Sequence, residues 1–167
     1  SFRSGRADFI LTSHTDLNAL KRTNPKVTSS SLHSFSVVMV FHPDKKPVSD
    51  QRVRQAFSLA LDRQALIEII MDGQAEIIGA VYGVAESWQL PQEELKRLYK
   101  PDIPRAKKLM AEAGYPNGFP LDVKVSSGRK DAMETVTVVA GQLRQIGVDI
   151  KQQILEHTTL IAQRNAA

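Results

Sequence analysis

The C-terminal third of the chain carries a strand–helix–strand pattern, which limits the fold more than any other feature. Apolar and polar residues alternate from Leu121 to Ser126 and again from Val148 to Leu155, as they do in half-buried strands. Between them, a helix is predicted from Asp131 to Ile146, because apolar side chains recur there on one helical face. Since the joints are short, the two strands are expected to lie parallel, with the helix as their crossover. The pattern predicts an α/β domain.

Two helices joined at an acidic corner are predicted between Pro47 and Gly73. Asp50 and Asp62 are expected to cap them. The apolar face of the first helix consists of Val53, Ala56, Phe57, Ala60 and Leu61. The buried side of the second is expected to consist of Leu66, Ile69 and Ile70. This pair belongs to a core and carries no catalytic chemistry.

Further elements are predicted on either side of this pair. Phe9–Leu11 suits a short buried strand, and Ser34–Phe41 ends in a continuous apolar run, as in a strand covered on both faces. Asp102 is expected to cap a helix that ends at Gly114. The whole is a mixed α/β domain whose C-terminal strand–helix–strand unit is flanked by helices.

Composition excludes several classes of protein. The 167 residues suit one domain, and without cysteine there is neither a disulfide nor a thiolate site. The net charge of +4 comes from dispersed basic residues, so nucleic acid is not the expected partner. No apolar run reaches the roughly 20 residues that a membrane helix needs, so this segment is not expected to insert into a membrane.

Motifs of catalysis and metal binding are missing from the sequence. The four histidines, at positions 14, 33, 42 and 157, are scattered and form no i, i+4 pair. The glycines form neither a P-loop nor a dinucleotide fingerprint, and no G-x-S-x-G elbow is present. We therefore predict no catalytic residue, no metal ligand and no cofactor.

If the chain has a binding site, the sheet topology predicts it at the carboxyl ends of the two parallel strands, where ligands collect in open α/β sheets. The loop from Ser126 to Asp131 offers hydroxyls, the Arg129 guanidinium and a helix N-terminus, which together suit a carboxylate or phosphate. Glu156 and His157 follow the second strand. Loops of this composition are usually plain connectors, and from the residues alone that interpretation of Ser126–Asp131 comes ahead of a binding site.

Two sequence blocks carry a family resemblance. VRQAFSLALDRQALIEII at residues 53–70 and PRAKKLMAEAGYPNGF at 104–119 occur in this order. They resemble blocks of the extracellular solute-binding proteins, family 5, which serve peptide, oligopeptide and nickel import. The resemblance implies a lobe like those of type II periplasmic binding proteins. Residues 1–167 would then be a single lobe, mainly the second, of a larger two-lobed protein.

The resemblance also implies a function. The expected role is capture of a peptide or other small solute for an ABC transporter, whose permease subunits would be the protein partners of a monomeric binding protein. The expected location is periplasmic or extracellular, with lipid anchoring through a segment N-terminal to this sequence as one option. An acidic-aromatic segment that contacts ligand in the family would follow Ala167, so residues 1–167 alone are expected to bind weakly.

Site residues follow from the same resemblance. The family's Q-E-W phrase corresponds to Leu155-Glu156-His157, so His157 stands where some relatives have a ligand-facing aromatic residue. Positions equivalent to Asp131 and Arg164 face ligand in some members. With Arg129, the predicted ligand-binding residues are Arg129, Asp131, His157 and Arg164.

Two other functions remain open at this point. An α/β enzyme could use Asp131 or His157 as acid or base, which would require both to converge in a closed pocket. A basic nucleic-acid-binding module would require a continuous positive face.

Overall fold

The computed structural model of the protein describes residues 2, 6–10, 12, 14–30, 38–42, 44–79, 88, 90–128 and 130–165. Within these residues the chain forms helices and two strands. In chain order the elements are α1 (His14–Thr23), α2 (Gln51–Ala60), α3 (Arg63–Met71), α4 (Gln92–Leu98), α5 (Ile103–Glu112), β1 (Phe119–Ser126), α6 (Lys130–Arg144), β2 (Val148–Leu155) and α7 (His157–Asn165).

The two strands form a parallel pair, which confirms the predicted strand–helix–strand unit. The register runs from Phe119 opposite Val148 to Ser126 opposite Leu155, and α6 connects the strands. Because paired residues in a parallel sheet share a face, the apolar side chains of the two strands lie together on the inner face. The outer face carries mainly polar side chains. The alternation of residues along each strand therefore decides which side chains face the core.

The core lies between the inner face of the sheet and a layer of helices formed by α2, α5 and α6. Phe57 of α2 is only 1% exposed, and its ring lies 6.1 Å from that of Phe119 and 5.7 Å from that of Phe41. The buried cluster comprises Val48, Val53, Ala56, Phe57, Ala60, Ala106, Met110, Val139, Leu143, Ile146 and Val148. The apolar face predicted for α2 is therefore the centre of the fold.

Three aspartates begin three of the helices, as predicted. The side chains of Asp50, Asp62 and Asp102 accept backbone N–H groups in the first turns of α2, α3 and α5, at 2.8, 2.9 and 3.0 Å. Each bond satisfies a helical N–H that has no partner within its own helix. These caps fix where the chain turns into each helix.

The strand predicted for residues 34–41 is wrong over residues 38–41, which are irregular; residues 34–37 lie outside the described residues. Val38 is 50% exposed and Val40 is 83% exposed. Within the described part of the chain, no strand pairs with this run, and of its side chains only Phe41 packs against the core. The prediction at Phe9–Leu11 fails similarly: Phe9 and Ile10 are irregular and exposed, and Leu11 is not described.

The predicted buried side of α3 is only partly right. Leu66 and Ile70 are half-buried, and Leu66 packs against the core, but Ile69 is 61% exposed. Ile69 lies about 100° around the helix from Ile70, so the face that rests on α6 excludes it. Helix α3 contributes the edge of the core rather than its centre.

Candidate functional site

The carboxyl ends of β1 and β2 meet at one edge of the sheet, which we call the carboxyl-end rim and define as Ser126–Gly128, Glu156 and His157. Ser126 is buried, and its Oγ lies 3.4 Å from His157 Nδ1, in a hydrogen bond whose donor depends on the imidazole tautomer. The same hydroxyl accepts the Gly128 N–H at 3.4 Å. The Ser127 N–H donates to the Leu155 carbonyl at 2.8 Å. Hydrogen bonds therefore link the carboxyl ends of the two strands.

The Glu156 carboxylate caps the N-terminus of α7. Its Oε2 accepts the Thr158 N–H at 2.9 Å and also accepts the Thr158 hydroxyl. The hydrogen bond from the Thr158 hydroxyl is the main cause that holds the pKa of Glu156 below its usual value. The bond from the Thr158 N–H and the electrostatic interaction with His157 act in the same direction. Glu156 therefore remains an anion, and the N-terminal dipole of α7 is already neutralised by a carboxylate.

The structure places the predicted site residues at different distances from the rim. His157 belongs to the rim and is exposed. Asp131 lies in the first turn of α6, is half-buried, and its carbonyl accepts the Thr135 hydroxyl at 2.7 Å. Arg129 lies outside the described residues.

Arg164 stands apart from His157. It lies in the last turn of α7, about 10 Å along the helix axis from His157, and it is exposed. The neighbouring Gln163 accepts Lys124 Nζ at 2.7 Å, so this end of α7 lies over the outer face of β1. The structure does not bring Arg164 to the rim.

The rim can act chemically as a hydrogen-bonding surface. It presents the His157 imidazole, which suits polar groups of a ligand, and it adjoins the start of α6, where Asp131 adds a carboxylate. Among the described residues, no group of three His, Asp or Glu could hold a metal ion. Two cavities, of 480 and 300 Å³, are lined by other residues than Asp131 and His157.

Two contacts of the rim were not anticipated from the sequence. The Ser126–His157 pair joins residues 31 positions apart, which no local pattern reveals. The Glu156 cap had a local signal, since an acceptor side chain directly before a helix with Thr two positions later is a capping arrangement.

No described helix has the length and apolar content to cross a membrane.

Comparison with known sequences identifies the family. The family model described as "Bacterial extracellular solute-binding proteins, family 5 Middle" matches residues 1–167. The oligopeptide-binding protein AppA of Bacillus subtilis (strain 168) is 27% identical over 175 aligned positions, which cover 98% of this chain and 32% of AppA. Heme-binding protein A of Haemophilus influenzae is 33% identical over 127 positions, covering 72% of this chain and 22% of that protein.

Solved structures show the same likeness. AppA of B. subtilis in complex with a nonapeptide superposes with a TM-score of 0.59 at 25% identity, covering 74% of this chain and 27% of that one. AgaA of A. tumefaciens R10 in complex with agropinic acid gives a TM-score of 0.63 at 26% identity, covering 72% and 24%. The chain spans about a third or less of the length of these relatives.

The fold therefore matches part of the type II periplasmic binding proteins, as the resemblance of the two sequence blocks implied. The family is one of solute-binding proteins of the periplasm or the cell exterior. With the family model matching the full sequence, this chain belongs to the bacterial extracellular solute-binding proteins, family 5.

Proposed function

We propose that residues 1–167 form one lobe, mainly the second, of a two-lobed binding protein that captures a peptide for an ABC importer. Membership of family 5 supports the role in solute capture. The relatives favour a peptide: AppA is named for oligopeptides and GsiB for glutathione, and AppA was solved with a nonapeptide. The single observation that carries the proposal is the carboxyl-end rim, an open polar edge on a family 5 lobe.

The rim suits the polar groups of a peptide. His157 can exchange hydrogen bonds with a peptide amide through the ring nitrogen that Ser126 leaves unused. Both helices that begin next to the rim start with a carboxylate, Asp131 in the first turn of α6 and Glu156 before α7, so the rim suits the amide and amino groups of a peptide better than its carboxylate. We propose Arg129, Asp131 and His157 as ligand contacts. Arg164 would contact ligand only through a group that reaches past the rim.

The mechanism is reversible binding without bond breaking. Ligand contacts made to both lobes would favour the closed form, which would then dock on the permease subunits as a monomer outside the cytoplasmic membrane. We propose no catalysis, since Asp131 and His157 line neither of the two cavities and the rim is open to solvent.

Calorimetric titration of the full-length protein that carries this lobe tests the proposal. Di- to nonapeptides, glutathione and haemin would be titrated separately. We expect saturable binding of a peptide, recovered unchanged by mass spectrometry. His157→Ala should weaken it about threefold to tenfold, the value of one hydrogen bond. The control is Lys107→Ala, an exposed residue of α5 outside the rim.

Three results would contradict the proposal. Failure of every peptide to bind would remove the peptide as ligand. Cleavage of a bound peptide would favour the enzyme alternative. Equal affinities of the parent, His157→Ala and Lys107→Ala would show that the rim does not contact the ligand.

A further inference from the structure

A groove of 300 Å³ lies between the corner that joins α2 to α3 and the segment that joins α4 to α5. Its walls include Arg63, Tyr99 and Lys100, with Lys96 at one side and Pro101 contributing exposed apolar surface. A groove of this volume is at the lower end of the range of small-molecule sites. It can hold a small organic molecule or an inorganic ion.

Arg63 is a partly buried cation at the wall of this groove. Its guanidinium lies over the Tyr99 ring, 4.2 Å from the centroid, and donates to the Ser58 carbonyl at 3.1 Å and to Ser58 Oγ at 3.0 Å. Burial lowers the pKa of Arg63. Among the described residues, no carboxylate lies within ion-pairing distance of it. Ser58 and Tyr99 therefore hold the Arg63 guanidinium in place without neutralising its charge.

The lining as a whole is positive. Arg63, Lys96 and Lys100 contribute three cations against the single carboxylate of Asp62, which leaves an excess of two positive charges. The Asp62 carboxylate is engaged as the cap of α3, through the Ala65 N–H at 2.9 Å. Lys96 bonds Glu93 Oε1 at 2.8 Å on an exposed surface. Arg63 and Lys100 are therefore the cations available to a ligand.

The groove is separate from the carboxyl-end rim. The backbone N–H and carbonyl of Asp62 both bond the Gln142 side chain on α6. Gln142 lies 11 residues after Asp131, a rise of about 16 Å along α6. The groove adjoins the far end of this helix, so it would bind its ligand independently of the peptide site proposed above.

We propose that this groove is a second binding site, for a small oxyanion, with Arg63 and Lys100 as its cationic residues. The planar guanidinium, fixed by Tyr99 and Ser58, has further N–H groups to offer to a carboxylate or a phosphate. Pro101 and the Tyr99 ring would contact an apolar body, so an aromatic or branched carboxylate fits the groove better than a bare ion.

Titration of the ¹⁵N-labelled chain, followed by heteronuclear NMR at constant ionic strength, tests the site. The probes are benzoate and inorganic phosphate, in separate arms. We expect saturable shifts centred on the Tyr99 and Lys100 amides. We expect benzoate to bind more strongly, because its ring can also contact Tyr99. Stronger binding of phosphate would overturn the preference for an apolar carboxylate and would identify a phosphate site instead.

Lys100→Gln is the decisive variant, because Lys100 is exposed and its loss leaves the core intact. It should weaken binding about tenfold, the value of one charge-assisted hydrogen bond. The matched control is Lys107→Gln, an exposed lysine of α5 outside the groove, which should bind like the parent. Arg63→Lys, which keeps the charge but loses the planar fork, should weaken the binding of both probes.

Two outcomes would overturn the proposal. One is the absence of saturable shifts with either probe. The other is an affinity that Lys100→Gln and Lys107→Gln change equally, which would mean that the ions screen surface lysines in general.

Discussion

Arg52 and Asp50 join the start of α2 to the end of α5. The Asp50 carboxylate accepts the Arg52 backbone N–H at 2.8 Å, Nε at 3.1 Å and one guanidinium nitrogen at 2.7 Å. The other guanidinium nitrogen donates to the Glu112 carbonyl at 2.6 Å. The side-chain hydrogen bond from Arg52 is the main cause that lowers the pKa of Asp50 to about 2, and the backbone bond adds to it.

This lowered pKa makes a prediction about acid stability. The unfolded chain holds the Asp50 proton with an ordinary pKa of 3.8, so folding favours the ionised form. The contribution is complete above about pH 5 and is lost as the pH falls from about 4 towards 2. Asn can still cap a helix, so Asp50→Asn should lose less stability than the parent over this window. Urea unfolding at pH 6 and pH 2.5 measures the difference.

The control for Asp50→Asn is Glu76→Gln, which changes an exposed carboxylate in the segment after α3. It should unfold with the same pH dependence as the parent. If Asp50→Asn also retains the parent's pH dependence, the Arg52 bond does not contribute to stability in solution.

Gly118 is required by a close approach of two backbone turns. A Cβ at this position would lie 1.9 Å from the Gly147 carbonyl oxygen, and the φ of Gly118 is +75°. Because the obstacle is backbone that also pairs with Phe119, neither side can yield without disturbing the first pair of the sheet.

We expect Gly118→Ala to destabilise the protein by about 3 kcal/mol or more. Gly141→Ala is the matched control, because a Cβ there meets nothing within 4 Å and the site is helical. It should stabilise the protein by about 0.5–1 kcal/mol. Urea unfolding gives both values. A loss below about 1 kcal/mol in Gly118→Ala would mean that the turns separate easily.

At the scale of elements, the side-chain amide of Gln142 links α6 to the corner between α2 and α3 by two hydrogen bonds. Gln142 Oε1 accepts the Asp62 N–H at 3.0 Å, and Gln142 Nε2 donates to the Asp62 carbonyl at 3.2 Å. Both groups are partly buried. These two hydrogen bonds orient α3, which otherwise contributes only half-buried side chains to the core.

Gln142→Ala should destabilise the protein by about 1–3 kcal/mol, because it leaves the Asp62 N–H and carbonyl without their partners. Gln145→Ala changes an exposed glutamine just after the same helix and should alter stability by less than about 0.5 kcal/mol. Equal losses in chemical denaturation would mean that water replaces the amide at no cost.

Elements that depend on neighbours in sequence could be predicted. Helix starts at Asp50, Asp62 and Asp102 follow from capping, which involves residues two or three positions apart. The parallel pairing followed from two alternating segments joined by a helix. Residues 38–41 could not be predicted, because their apolar run does not reveal whether another strand lies beside it.

The candidate site was predictable in position but not in detail. Topology alone places Ser126 and His157 at the same edge of the sheet. Their hydrogen bond depends on how α7 leaves β2, and the stack of Arg63 on Tyr99 depends on the packing of α4. Such contacts join residues far apart in sequence and need the folded structure.

On the scale of the whole molecule, the described residues place α2, α5 and α6 on the inner face of a two-stranded sheet and the end of α7 over its outer face. Several large apolar side chains stay exposed, among them Val40 at 83%, Trp88 at 79% and Ile154 at 57%. Ile154 lies on the inner face near the rim, where Val125 pairs with it. The sheet is thus open to solvent next to the rim, in line with the proposal that a second lobe forms the other side of a cleft.

The lobe proposal predicts how affinity divides between the chain and the full-length protein. If ligand contacts come from both lobes, residues 1–167 alone should bind the peptide at least about 100-fold more weakly, because they supply only part of the contact energy. Calorimetry on both proteins measures the ratio, with cooperative thermal unfolding as the check that the shorter chain is folded. Equal affinities would mean that the rim binds peptide without a second lobe, and closure would then have no ligand contacts to drive it.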